Sequence, residues 1–564
     1  MEALDWLVIG VFFLALIGII VWVVRQKQND SADYFLGGRD ATWLAIGASI
    51  FASNIGSEHL IGLAGAGASS GMAMAHWEIQ GWMILILGWV FVPFYTRSMV
   101  YTMPEFLERR YNPQSRTILS VISLVSYVLT KVAVTVYAGG LVFQQVFGIK
   151  ELWGIDFFWI AAIGLVVLTA LYTIFGGMKS VLYTSVLQTP ILLLGSLIIL
   201  VLGFKELGGW DEMMRVCGAV TVNDYGDTMT NLIRSNDDAN FPWLGALIGS
   251  AIIGFWYWCT DQFIVQRVLS GKNEMEARRG TIFGAYLKLL PVFLFLIPGM
   301  IAFALHQKYI GAGGEGFLPM LANGTANADA AFPTLVAKLL PAGVKGLVVC
   351  GILAALMSSL ASLFNSSAML FTIDFYKRFK PETPEKKLVG IGQIATIVIV
   401  VLGLLWIPIM RSVGDVLYTY LQDVQSVLAP GIAAAFLLGI CWKRTSAQGG
   451  MWGLISGMVI GLTRLGAKVY YSNAGEVADS TFKYLFYDMN WLFFCGWMFL
   501  FCIIVVIVVS LATEAPTAEK IQGLVFGTAT KEQKAATRAS WNHWDIIHTV
   551  IILAITAAFY WYFW

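Results

Sequence analysis

Charge is what this sequence has least of. Of its 564 residues only 13% are Asp, Glu, Lys or Arg, five are His, and the formal net charge is +1. A soluble domain carries about 25% charged residues. With so balanced a charge and no basic stripe, a nucleic-acid partner is excluded. The six cysteines, Cys217, Cys259, Cys350, Cys441, Cys495 and Cys502, show neither a CxxC pair nor zinc spacing, which excludes a metal-stapled scaffold. Only Cys217 lies outside an apolar run, so the others read as packing residues. Neither a carboxylate pair nor a metal-ligating cluster stands near an apolar boundary, as a membrane enzyme would need. Low-complexity segments are missing too. The first apolar run, 6–24, does not read as a cleaved leader, because Glu2 and Asp5 make its flank acidic and no A-x-A site follows.

What the sequence does have is apolar length. Hydrophobic residues make up 58% and aromatics 14%, and the mean hydropathy is +0.72. A spanning helix needs about 20 mostly apolar residues. Fourteen stretches qualify: 6–24, 42–68, 74–96, 118–147, 156–175, 181–204, 241–269, 281–306, 345–374, 389–410, 414–440, 448–472, 489–513 and 546–564. With the N-terminus outside, the inside connections carry 23 of the 36 lysines and arginines, so the positive-inside rule puts both termini outside. The fold class expected is an all-α membrane protein of 14 transmembrane helices in one integral membrane domain, 1–564. The outside loops 205–240 and 307–340 are too short to be separate domains, and 377–388 is a solvated charge run. Asn323-Gly-Thr forms a glycosylation sequon on an outside loop.

Two of these stretches are interrupted. The segment "FASNIGSEHLIGL" at 51–63 places Ser53, Asn54, Gly56, Ser57, Glu58 and His59 almost together between apolar flanks. The segment "FWYWCTDQFIVQR" at 255–267 places Thr260, Asp261 and Gln262 at mid-span. Unpaired polar groups at that depth cost several kcal/mol each, and non-helical backbone is tolerated there only inside protein or along a cavity. Five spans separate the two breaks. That spacing fits two five-helix halves, each opening with a broken helix, which is the best sequence pointer to a transporter binding site. The inverted repeats are expected at 41–204 and 241–440, with peripheral helices in 1–40 and 441–564. Each break is read as an unwound hinge with carbonyls free for a cation and side chains free for a solute. Glycine-mediated packing is the plainer alternative.

Other polar residues need a reason to be in a membrane. Glu78, in "AHWEIQGW", is either a site carboxylate or an interfacial one. Lys288, in "AYLKLLP", binds a hydroxyl, pairs with a carboxylate or snorkels. Gln422, in "YLQDVQ", offers both donors and an acceptor, to a ligand or to a neighbouring helix. Lys131 is assigned to structure. In "ALMSSLASLFNSS", Ser358 and Ser359 carry adjacent hydroxyls one turn after Ala355, a donor set suited to a monovalent cation, or merely bonded back to their own helix.

The motifs "ASNIGSEHLIGLAGAGASSG", "YTMPEFLERRY", "LYTIFGGMKSVLYT", "WYWCTDQFIVQRVLSGKN", "YLKLLPVFLFLIPGMI", "LMSSLASLFNSSAMLFTIDFY" and "APGIAAAFLLGICWKR" closely resemble the sodium/glucose cotransporters of the sodium:solute symporter family. The resemblance covers about 20–470 in detail and implies fourteen helices with the five-plus-five inverted repeat of amino-acid transporters. It implies sodium ligands in the carbonyls of Ala52, Ile55 and Ala355 and the hydroxyls of Ser358 and Ser359. It implies a sugar site of Asn54, His59, Glu78, Trp258, Lys288 and Gln422, with Tyr257 stacking under the sugar as an inner gate. Leu63, Trp77 and Tyr418 match a hydrophobic outer gate. The chain departs from relatives at Gly254 and Gly81, where some carry polar side chains, at Ser185, where Asp is common, and at Ala361, where a hydroxy residue often stands.

The expectation is a sodium-driven symporter, not an enzyme, that imports a monosaccharide (glucose or galactose) by alternating access at the plasma membrane, the inner membrane in a bacterium. Sodium is the coupling ion and no cofactor is expected. The partners are a small neutral sugar or polyol and the lipid bilayer. Alternatives are a myo-inositol symporter, an organic-anion symporter, which would need an unpaired Arg or extra Lys at the break, and a non-transporting glucose sensor, for which the longest inside loop, 514–545, is too short to hold an output domain.

Overall fold

The computed structural model describes residues 1–564 except 27, 29, 57, 322, 323, 412–416 and 474–477; inside helices the side chains of 129, 130, 145, 409–411, 417–423 and 473 also lie outside the description. Ser57, Asn323, Tyr418 and Gln422 fall in this set. Among the described residues, ten helices are long and apolar enough to cross a membrane, and Trp43–Asn54 and Ala133–Gln144 are shorter apolar helices. The one sheet described is a two-stranded antiparallel pairing of Glu151–Leu152 with Ile155–Asp156. Only 22% of the apolar stretches of Ala3–Val24 and of His543–Tyr562 is buried, against 89% for Val344–Phe379. The first two therefore face lipid, and the third is the centre of the bundle. It packs chiefly on Phe157–Leu207, which bends at Gly177 (φ 52°, ψ −147°), where a Cβ would sit 2.4 Å from the Tyr34 carbonyl oxygen.

Between helices in a bilayer there is no water to expel, so close backbone approach has to provide the contact. The span Glu274–Gly311 shows this. A Cβ on Gly299 would lie 1.9 Å from the Ala64 carbonyl oxygen, and one on Gly67 would lie 2.2 Å from that of Leu296. Near its other end, a Cβ on Gly47 would lie 2.8 Å from the Gly280 carbonyl oxygen. Both halves of the first interrupted segment thus lie against one long helix, the one that carries Lys288.

Both interruptions predicted from sequence are present. The helix Trp43–Asn54 stops at Ile55, whose backbone is extended (φ −78°, ψ 113°), and the chain resumes as a wide turn, Glu58–Leu63, and a helix, Ala64–Ser69. Ser53 and Asn54 compete for backbone hydrogen bonds, and Gly56 adds backbone freedom, so the stop is local chemistry. In the second, Trp243–Gly254 widens into Phe255–Thr260 and stops at Asp261, also extended (φ −76°, ψ 128°). Gln262–Leu269 follows, with Asp261 as its N-cap.

Candidate functional site

Each break contains an extended residue, Ile55 in the first and Asp261 in the second, and each frees backbone groups that must find partners at membrane depth. At the first break the partner is Ser359. Its hydroxyl donates to the carbonyl oxygens of Ser53 (3.0 Å) and Ile55 (2.9 Å). Gly56 leaves room for it, since a Cβ there would stand 2.9 Å from Ser359 Oγ. Ser53 Oγ and Ser362 Oγ lie 2.6 Å apart, and Ser358 Oγ lies 3.3 Å from Ser185 Oγ, which itself donates to the Val181 carbonyl. Hydroxyls and carbonyls from three segments therefore converge behind the break with no carboxylate among them. Ala52 and Ala355 are buried on the same two helices.

On the other side of the break lies a chain of polar side chains. Lys288 Nζ donates to Glu78 Oε2 (2.6 Å) and to Asn54 Oδ1 (3.1 Å). Asn54 Nδ2 donates to the Tyr257 hydroxyl (3.1 Å), and His59 Nε2 is 3.2 Å from Glu78 Oε2. Lys288 also sits over the Trp258 ring, 5.3 Å from its centroid, and Trp258 meets Tyr257 edge-on. Six of the seven residues expected to hold the sugar thus form one continuous set. The seventh, Gln422, lies outside the described side chains; Gln425, one turn along the same helix, Leu417–Cys441, lines the cavity. The cavity is about 40 Å³.

Of the gate residues, Leu63 is fully buried. Trp77 stacks on Trp491 (5.5 Å, 25°) and meets Phe241 edge-on, and its buried Nε1 has no partner among the described residues. Its shield is therefore partly Trp491–Ala512, a helix beyond the expected repeats. Tyr418 lies outside the described side chains.

Sequence reasoning missed two features. Lys131, assigned to structure, forms a buried ion pair with Asp261 (2.8 Å) and sits 4.7 Å from the centroid of the Tyr257 ring, with Tyr127, Trp256 and Phe263 also around it. Tyr127 donates to the same carboxylate. One face of the Tyr257 ring is thus backed by a salt bridge, whose partner the sequence around Lys131 does not reveal. The second is Gln80, which lines the cavity. On a regular helix, residues two apart point to different sides. Here Ile79 (ψ 17°) and Gln80 (ψ 24°) leave helical geometry between Ala75–Glu78 and Gly81–Ile86, and the turn brings Gln80 to the same cavity as Glu78.

Residues 34–457 match the model of the sodium:solute symporter family. The chain is 36% identical over 542 residues to the sodium/myo-inositol cotransporter 2 of Mus musculus, covering 94% of this chain and 80% of that one. It is 35% identical over 537 residues to the sodium/glucose cotransporter 4 of Danio rerio, covering 92% and 80%. Among solved structures it is similar to the substrate-bound outward-open state of a Na+-coupled sialic acid symporter, reported to reveal a novel Na+-site. The TM-score is 0.72 at 22% identity, over 92% of this chain and 99% of that one; this likeness concerns the fold. On the family match and the two relatives, the chain belongs to the sodium:solute symporter family and is a multi-pass, sodium-coupled membrane transporter rather than an enzyme.

Proposed function

We propose that this symporter imports a neutral ring of hydroxyls, glucose or galactose, by alternating access across the plasma membrane. The observation that carries the reading is the polar set Asn54–Lys288–Glu78–His59 beside Tyr257 and Trp258, on the opposite side of one helix break from a cluster of hydroxyls and carbonyls. A pyranose has a rim of hydroxyls and an apolar C–H face, and wants converging donors and acceptors plus an aromatic platform. Lys288 is already spent on Glu78 and Asn54. Among the described residues lining the cavity this leaves no Lys or Arg free for an anionic solute. A second reading, myo-inositol, is favoured by the sodium/myo-inositol relatives at 35–36% identity.

In this reading the carbonyls of Ala52, Ile55 and Ala355 and the hydroxyls of Ser358 and Ser359 take sodium. The ion replaces the direct bond from Ser359 to the Ile55 carbonyl and ties the break to the Val344–Met369 helix. That fixes Asn54 and the sugar side of the same turn. Sugar then draws in Leu63, Trp77 and Tyr418, and sodium release inside lets the site empty past Tyr257. The architecture proposed has 14 spans in one domain, 1–564, repeats at 41–204 and 241–440, peripheral helices in 1–40 and 441–564, and both termini outside.

One sodium per sugar follows from Ser185 and Ala361, neither of which brings a charge to offset a second cation. One charge moving through 100 mV yields about 2.3 kcal/mol. A tenfold sodium gradient adds about 1.4 kcal/mol. Together they support about 500-fold accumulation, and two ions would square it. The test is sodium-dependent uptake of labelled glucose, galactose, myo-inositol and sialic acid into proteoliposomes, with the zero-flux voltage measured at clamped gradients. Uptake of sialic acid alone, or no dependence on sodium, overturns the reading; a voltage matching two charges overturns the one-ion part.

A further inference from the structure

Gly254 lines the cavity without a side chain. The structure shows what occupies the place beside Gly254. A Cβ on Gly254 would stand 2.4 Å from Gln80 Oε1, 2.9 Å from Cδ and 3.0 Å from Nε2. The Gln80 amide therefore lies directly over the bare Cα of Gly254. It is held there from one end only: Nε2 donates to the Ser250 carbonyl at 2.8 Å. Gln80 is 3% exposed and borders the cavity that Glu78 and Lys288 line. Among the described residues nothing donates to Oε1. An amide acceptor with no protein donor on the wall of a polar cavity is a place where a ligand hydroxyl is favoured. Gly81 plays a different part. A Cβ there would meet the Ala285 carbonyl oxygen at 2.8 Å, so this residue sets how near the turn holding Gln80 comes to the helix carrying Lys288.

We propose that Gln80 is a specificity-determining residue: its Oε1 accepts one hydroxyl of the bound sugar or polyol on the wall that Gly254 leaves bare. The proposal rests on the neutral polyhydroxylated substrate argued above. The fixed Nε2 bond orients the amide, so the acceptor points at one position of the ring. A ring that lacks a hydroxyl there, or holds it on the other face, leaves Oε1 unpaired and is rejected.

The test is competition against labelled glucose (or myo-inositol, whichever is carried) in proteoliposomes by the series of monodeoxy analogues. Wild type, Gln80→Met and Gly254→Ala are compared. Methionine keeps the volume and removes the amide; alanine keeps Gln80 and pushes its amide off the glycine. In wild type, one deoxy position should weaken competition by about tenfold, the scale of one buried hydrogen bond lost. Gln80→Met should abolish that penalty at that position alone, and Gly254→Ala should reduce it, while the sodium dependence of uptake stays as in wild type. A purely structural role for Gln80 would weaken all analogues alike. An unchanged deoxy profile in Gln80→Met, or a uniform loss across the series, overturns the proposal. Absence of sodium-dependent uptake in the wild-type protein would overturn the transport reading instead, so the two failures are separable.

Discussion

The two helix breaks each turn on an extended residue and differ in their electrostatics. At Ile55 the freed carbonyls are held by a neutral hydroxyl, that of Ser359. At Asp261 the extended residue is itself charged, and it is held by Lys131 and Tyr127. The first break therefore has carbonyl oxygens that a cation can take over by turning one hydroxyl aside. The second carries its cation permanently, in the ammonium of Lys131 set among aromatic rings. In the function proposed above, the first break exchanges sodium for that hydroxyl, while the second stays latched beside Tyr257.

The comparison is broken most severely at the latch. Removing one partner of a buried ion pair costs about 3–5 kcal/mol, because the other charge is left alone. Lys131→Met should lower the unfolding temperature in detergent and abolish sugar uptake, and adding Asp261→Asn should recover much of the stability. If the single variant melts like wild type, the latch is not what holds this break. The ion-exchanging break is probed by Ser359→Ala. Half-maximal uptake should require at least about tenfold more sodium, a loss of about 1.4 kcal/mol, with the order of preference among sugars unchanged. Unaltered sodium activation would remove Ser359 from the ion site.

Smaller effects sharpen the contrast. Asn54→Ala cuts the hydrogen bond joining the first break to Tyr257 while sparing both clamps. Sugar affinity at saturating sodium should fall by about 1 kcal/mol, read as a rise in sugar KM without a change in sodium KM. The smallest effect concerns Asp329, on the loop 307–340. Its carboxylate lies against the second half of the first broken helix, Ala64–Ser69, where a Cβ on Gly65 would be 2.6 Å from Oδ1. Burial pushes its pKa up to about 6. An acid whose pKa is raised by folding loses stability as pH climbs through that value. Asp329→Asn should therefore melt higher than wild type at pH 7.5 and alike at pH 4. Equal melting at both would mean the burial carries no such cost.

The breaks were legible because both factors act along the chain: polar residues crowded between apolar flanks have few other places to go in a membrane. Glu78 and Lys288 were legible as expensive residues, and their mutual pairing follows from that expense. Lys131 was assigned to structure, and a buried ion pair is a structural role; what stayed illegible was its partner, because Asp261 lies 130 residues away in sequence. Gln80 was illegible because its direction depends on two residues leaving the helix, and neither Ile79 nor Gln80 announces that. Gly254 read as a missing contact; only the fold shows that its emptiness admits the side chain of Gln80.

The glycine contacts along Glu274–Gly311 have a mechanical consequence. Gly47 fastens the first half of the broken helix, Trp43–Asn54, on one side of Lys288, and Gly67 with Gly299 fastens the second half, Ala64–Ser69, on the other. The long helix is itself interrupted at Leu289–Leu290, just before Pro291. Two neighbouring rods thus share a joint at one level, and each piece beyond it is riveted to its neighbour. So fastened, a tilt of one rod about the level of Lys288 would carry the other with it, and a small rotation there would be magnified toward the far ends of both.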